Sequence, residues 1–175
     1  AEQGPQVHVA DARDEAYGGR ELMDRLSNEY PSLTAGWSPE RTDRWFFLAT
    51  KLRLTIDYLR FMEPAYDLTP RLRARAEERV PQLLLWVLGL PLIRSARGRR
   101  YLTRVLASLE QAIPLDPSIL KFIREHHPDA VLITPLVGVV ASPQLDYLYA
   151  SLHLGMPTAL SVWSWDHLSS KALIR

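Results

Sequence analysis

The chain has no cysteine, which excludes disulfides and thiolate metal sites and is compatible with a reducing compartment. It also lacks a long hydrophobic run. The longest apolar stretch, Leu83 to Ile93, is far short of the ~20 residues a bilayer span needs. Neither sign of charge is in excess, with 21 Lys and Arg against 20 Asp and Glu, so no strongly acidic or basic partner is implied, nucleic acid included. There is no dinucleotide glycine fingerprint, no P-loop, no nucleophile elbow and no HExxH. His8, His126, His127 and His153 lack metal-ligand spacing and acidic company. No metal and no cofactor is expected. The first residues are polar, without the basic flank and apolar run of a secretory leader. The expected location is the cytoplasm, with any membrane contact peripheral.

What is present is organised around Ala130 to Lys171. Val131-Leu132-Ile133 is a short apolar run without polar alternation, the pattern of a strand buried on both faces, and Thr158 to Trp163 repeats it. Between them Leu145, Leu148 and Leu152 fall at helical spacing, and Gly155 and Pro157 supply the stop. Strand, helix, strand in that order predicts a right-handed βαβ unit with parallel strands. Ligands of such sheets bind beyond the carboxyl ends of the strands. The segment Ser164 to Lys171 lies at one such end and Thr134 at the other.

The rest of the chain reads as α/β. Val7 to Ala10 is a short buried strand, and a helix over about Arg20 to Tyr30 turns Leu22, Met23 and Leu26 inward. Gly18-Gly19 at its mouth suits a turn, or backbone N–H groups aimed at an anion. Leu33 to Trp37 is a weaker strand. A long helix from Asp43 carries Trp45, Leu48, Leu52, Ile56 and Leu59 on one face, capped by Ser38 or Thr42 and ended by Pro64. Its aromatic set, Trp45, Phe46, Phe47, Tyr58 and Phe61, is read as core. Residues 69–114 are a helical insertion. Arg71, Arg73, Arg75 and Arg79 lie along its first helix, and the Leu83 to Leu88 ridge stands before Arg94, Arg97, Arg99 and Arg100. Those arginines are either a solvated face or the flank of a surface for an anionic membrane or a lipid-linked substrate. Ser118 to His126 is a further helix. The fold class expected is a Rossmann-like parallel sheet flanked by helices, one domain over 1–175. Ala1-Glu2-Gln3-Gly4 and Leu173-Ile174-Arg175 read as the ends of a fragment truncated on both sides.

Chemistry gathers in one loop. Asp166 suits a general base on a hydroxyl or an orienter of His167, whose ordinary pKa near ~6.5 fits proton transfer at neutral pH. Ser169, Ser170 and Lys171 suit phosphate or sugar oxygens, and Trp163 or Trp165 the face of a sugar ring. The competing reading makes Asp166 a helix cap and the serines turn residues.

The run Val162-Trp163-Ser164-Trp165-Asp166-His167-Leu168-Ser169-Ser170-Lys171 resembles the SWDNL(S/T)SKG loop of a group of bacterial GT-B-like glycosyltransferases. Val7 to Leu26 and Pro128 to Val137 are similar to the same proteins' N-terminal domain. The resemblance implies a two-domain enzyme with facing Rossmann-like halves, of which this chain is the N-terminal, acceptor-side half. The nucleotide-sugar donor would then bind a missing C-terminal domain. Trp165, Asp166, Leu168, Ser169, Ser170 and Lys171 match the motif, whereas His167 replaces Asn and Ala172 replaces Gly. These departures remove an amide and a tight-turn residue. The implied partners are the donor and a sugar or lipid-linked acceptor, and the fragment alone is expected to be inactive. Two other readings remain open: a non-catalytic α/β binding module that docks through Leu83 to Arg100, and a sugar-nucleotide epimerase-like enzyme.

Overall fold

The computed structural model describes residues 4–11, 19–134 and 142–162, with the backbone alone at Asp11, Gly19 and Arg20. Of the described residues 59% are helical and 11% are in strands, so helices supply most of the packing. The chain divides into two compact units, Ala1–Glu40 and Arg41–Arg175.

The first unit is a strand–helix–strand element. Strand β1 (Val7–Asp11) is followed by α1 (Gly19–Glu29) and β2 (Leu33–Trp37), and the strands pair in parallel with Val7 opposite Leu33 and Asp11 opposite Trp37. His8 and Thr34 face each other in this register, His8 Nδ1 lying 2.8 Å from Thr34 Oγ1. Gly36 leaves room for the imidazole, since a Cβ there would come within 3.0 Å of the ring. The expected inward residues are less covered than their apolar character predicts: Val7 and Leu22 are exposed, while Val9, Met23 and Leu26 are half-buried. A two-stranded sheet and one helix bury little area between them.

The second unit is built on α2 (Phe46–Phe61). From Leu52 to Phe61 every residue of this helix is buried, charged ones included, because neighbours cover it on all sides. Ile56, Tyr58, Leu59 and Phe61 form the centre of the core. They are joined there by Ala76 near the end of α3 (Pro70–Glu77), Val80, Leu88 of α4 (Gln82–Gly89), Leu106 of α6 (Ala96–Gln111) and Ile113. Each large apolar side chain fully buried here contributes about 1.5–3 kcal/mol. Short α5 (Pro91–Arg94) turns the chain between α4 and α6, and Ser95 caps α6 by accepting from Gly98 N–H.

Three expectations for α2 change. Phe46, Phe47 and Leu48 are exposed, because burial begins only where the other helices reach the second turn. Neither Ser38 nor Thr42 caps the helix; the Asp43 carboxylate accepts from Trp45 N–H at 3.0 Å instead. The aromatic core set thus reduces to Tyr58 and Phe61, with Trp45 packed at its edge.

Helix α7 (Pro117–His126) starts at Asp116, whose carboxylate accepts from the N–H groups of Ser118 and Ile119. It ends with His127 in the left-handed region at φ 42°, before β3 (Val131–Ile133). Helix α8 (Gln144–His153) and β4 (Thr158–Leu160) follow, with Gly155 at φ 70° making the turn between them. β3 and β4 are parallel, Val131 opposite Thr158 and Ile133 opposite Leu160. Ile133, Leu145 and Leu148 pack as one cluster. Leu132 is 65% exposed, so β3 is covered on one face rather than on both. Both parallel pairs thus have the strand–helix–strand order expected of α/β proteins, as two separate two-stranded sheets.

Candidate functional site

In a parallel strand–helix–strand unit both strands end at one edge, and the connecting helix begins there. Thr134 follows β3 at this edge and is half-buried. Beyond the other strand, Ser161 N–H donates to the Ile133 carbonyl at 2.9 Å, which carries the ladder one residue past β4. Helix α8 opens from the same side behind Ser142 and Pro143, with Ser142 Oγ donating to Gln144 Oε1. Among the described residues, then, Thr134, Ser142, Ser161 and Val162 mark the edge at which the sequence places the candidate loop. Trp163, Trp165, Asp166, His167, Ser169, Ser170 and Lys171 lie outside the described residues, as does Gly18. Gly19 is the first residue of α1, in the first unit.

The position of α8 is set by charges. Asp146, in its first turn, accepts from two arginines. Arg53 of α2 makes a two-pronged contact, Nη1 to Oδ2 at 2.9 Å and Nη2 to Oδ1 at 2.7 Å, and its Nε donates to Glu110 of α6 at 2.8 Å. Arg41 donates through Nη1 to Asp146 at 3.0 Å, and through Nε and Nη2 to both oxygens of Asp43 at 2.9 and 3.0 Å. Arg41 Nη2 also meets the Pro114 carbonyl. Tyr149, one turn after Asp146, donates to Glu110 Oε2 at 3.2 Å. Arg41, Arg53, Glu110 and Asp146 are all under 10% exposed.

Such a cluster is retained only if every charge is matched, because an ion removed from water loses several kcal/mol of solvation. Here it is matched. Burial opposes charge on Arg53, but the bonds and fields of Asp146 and Glu110 outweigh it and hold the guanidinium firmly ionised. Arg41 is held above its ordinary value in the same way: burial opposes its charge, and Asp43 and Asp146 overcome it. The hydrogen bond from Arg41, against a smaller effect of burial, keeps the Asp43 carboxyl below the usual carboxylate range. The network ties α2, α6 and α8 together at one point. Beside it lies a cavity of about 270 Å³, lined by these four residues with Gln111, Ile113, Leu115, Tyr149 and His153. The two guanidinium groups at its wall are already held by three carboxylates, Asp43, Glu110 and Asp146.

These four charged residues were not legible as a set. Arg53 and Asp146 each interrupt an apolar helical pattern, which is the available signal, but 93 residues separate them and spacing cannot pair them. The described residues contain no group of three or more His, Cys, Asp or Glu placed to hold a metal ion. Among them no helix is long and apolar enough to cross a membrane. Comparison with protein-family models, with curated proteins and with solved structures found no match to this chain.

Proposed function

We propose that this chain is the acceptor-binding half of a GT-B-like glycosyltransferase acting on a cell-envelope or lipid-linked acceptor. The observation that supports this most is the parallel pairing of β3 with β4 across α8. It opens both carboxyl ends on one edge, and in sequence the Trp163 to Lys171 segment follows directly from there. In this reading Asp166 or His167 takes the proton from an acceptor hydroxyl, and Ser169, Ser170 and Lys171 hold the acceptor in place. Trp163 or Trp165 stacks on the sugar ring, and Thr134 contributes from the neighbouring strand end.

The test is a saturation-transfer NMR titration of the purified chain with neutral mono- and disaccharides on one side and nucleotide sugars on the other. Saccharide binding is expected, lost in Asp166→Ala and Lys171→Ala, with little or no nucleotide-sugar binding. Nucleotide-sugar binding by this chain, or saccharide binding indifferent to both substitutions, overturns the assignment.

A further inference from the structure

Between Glu78 and Glu110 the sequence contains no acidic residue, yet it contains Arg79, Arg94, Arg97, Arg99, Arg100 and Arg104. Over the whole chain the two signs are nearly equal, so this stretch is a local excess of positive charge. On the same stretch large apolar side chains stand in solvent. Leu83 is 72% and Trp86 67% exposed, one turn apart on α4; Leu92 is 84% exposed on α5, and Tyr101 67% on α6.

These helices are not loose, because their other sides are seated. Leu88 and Leu106 are buried in the core, and Leu84, Leu85, Ile93 and Leu102 pack against it. Gly98 fixes the corner between α5 and α6. A Cβ at that position would fall 2.0 Å from the Leu92 carbonyl oxygen, so the first turn of α6 lies directly on the α5 backbone. That contact keeps Leu92 beside the arginines of α6. Arg97, Arg100, Tyr101 and Arg104 recur at three- and four-residue intervals on one exposed side of that helix. Among the described residues no carboxylate pairs with Arg94, Arg97, Arg100 or Arg104.

We propose that the face formed by α4, α5 and the start of α6 docks on an anionic lipid bilayer. Leu83, Trp86 and Leu92 enter the boundary between headgroups and acyl chains, and the arginines meet lipid phosphates. Apolar side chains with an indole, bordered by cations and free of acids, are the composition that interfacial helices use. The positive charge complements the negative surface of anionic leaflets. Leu92 and Leu83, the two most exposed apolar side chains of this face, would add nothing to nucleic-acid binding, where aromatic stacking and hydrogen bonds to bases do the reading. The inference needs only this surface and stands whether or not the transferase assignment holds.

The experiment is co-sedimentation of the whole chain with phosphatidylcholine vesicles, and with vesicles containing about one-third phosphatidylglycerol, a fraction chosen to give the surface potential that attracts basic segments. Binding to the anionic vesicles is expected, falling as salt rises, with little binding to the neutral ones. Each arginine near the surface is worth roughly fivefold in partition, so Arg97→Glu with Arg100→Glu should lower binding by at least about 25-fold. Leu83→Glu with Trp86→Glu should abolish it. Leu83, Trp86, Arg97 and Arg100 are solvent-exposed or half-exposed, so both double variants should melt like the parent, which circular dichroism checks. Equal binding to neutral vesicles, no vesicle binding, or binding unaffected by either double variant overturns the proposal. So does ultracentrifugation showing self-association that Leu83→Glu with Trp86→Glu removes while vesicles are ignored, which would make the face an interface between copies.

Discussion

Replacing Asp146 by Asn isolates the charge network, because the two side chains have nearly the same shape and no cavity effect is mixed in. Asp146 accepts three charge-assisted bonds, two from Arg53 and one from Arg41, where the side chains are at most 7% exposed. An exposed ion pair would contribute about 0–1 kcal/mol. Here the substitution removes the carboxylate that two buried guanidinium groups share, leaving Arg53 with Glu110 and Arg41 with Asp43, and it turns an amide donor toward groups that can only donate. Breaking a buried pair from one side costs about 3–5 kcal/mol, a large share of the ~5–15 kcal/mol that a folded domain has in total. For a chain of this size, that corresponds to a fall in melting temperature of about 6–20 °C. Urea unfolding followed by far-UV circular dichroism at pH 7 should show a lower midpoint with unchanged slope. Arg41→Met in the Asp146→Asn background should cost less than the sum of the single changes, since the Arg41–Asp146 bond is already lost there. A loss below about 1 kcal/mol for Asp146→Asn would refute the argument that this network holds α8 against α2 and α6.

Gly98→Ala tests the α5–α6 corner by its sign. In a helix open to solvent the change would stabilise by about 1 kcal/mol, but against the Leu92 carbonyl it should destabilise by about 1–3 kcal/mol in urea titrations. Asp116→Ala removes the acceptor for two N–H groups at the start of α7 and should cost about 1 kcal/mol, visible as a lower melting temperature. The Asp43 carboxyl is depressed in the folded chain, so its contribution is present above its unfolded value near ~3.9 and is lost as pH falls through the lower folded value. Stability measured below about pH 4 should therefore fall less steeply in Asp43→Asn than in the parent.

Much of the element order was legible. The apolar run at Val131, the Leu145, Leu148 and Leu152 spacing and Gly155 mark β3, α8 and its stop, and the structure has all three, with Leu145 and Leu148 buried and Leu152 left exposed. Pro70, Gly89 and Pro91 likewise punctuate the helices of the 69–114 stretch where their backbone chemistry requires. Burial was less legible, because it depends on what arrives from elsewhere. Phe46, Phe47 and Leu48 carry a core pattern and stay in solvent, whereas Arg53 and Glu110 carry a surface composition and are buried. Apolarity states what a side chain would gain from cover, not whether cover comes. The ionic network was invisible for a related reason: its four charges come from three helices and a preceding turn, with no local spacing to join them. At the candidate site, the sequence supplied the loop and the structure supplied the edge that precedes it.

The transferase proposal meets its most direct test in the transfer of labelled sugar from a nucleotide-sugar donor, by this chain together with the donor-binding half that the proposal requires. Removing a general base typically lowers a rate by about 10²–10⁴-fold, so Asp166→Ala or His167→Ala should cut transfer by at least about a hundredfold while the chain keeps its melting temperature. Transfer at the parent rate in both variants, or no transfer by the parent with any saccharide or lipid-linked acceptor, would contradict it.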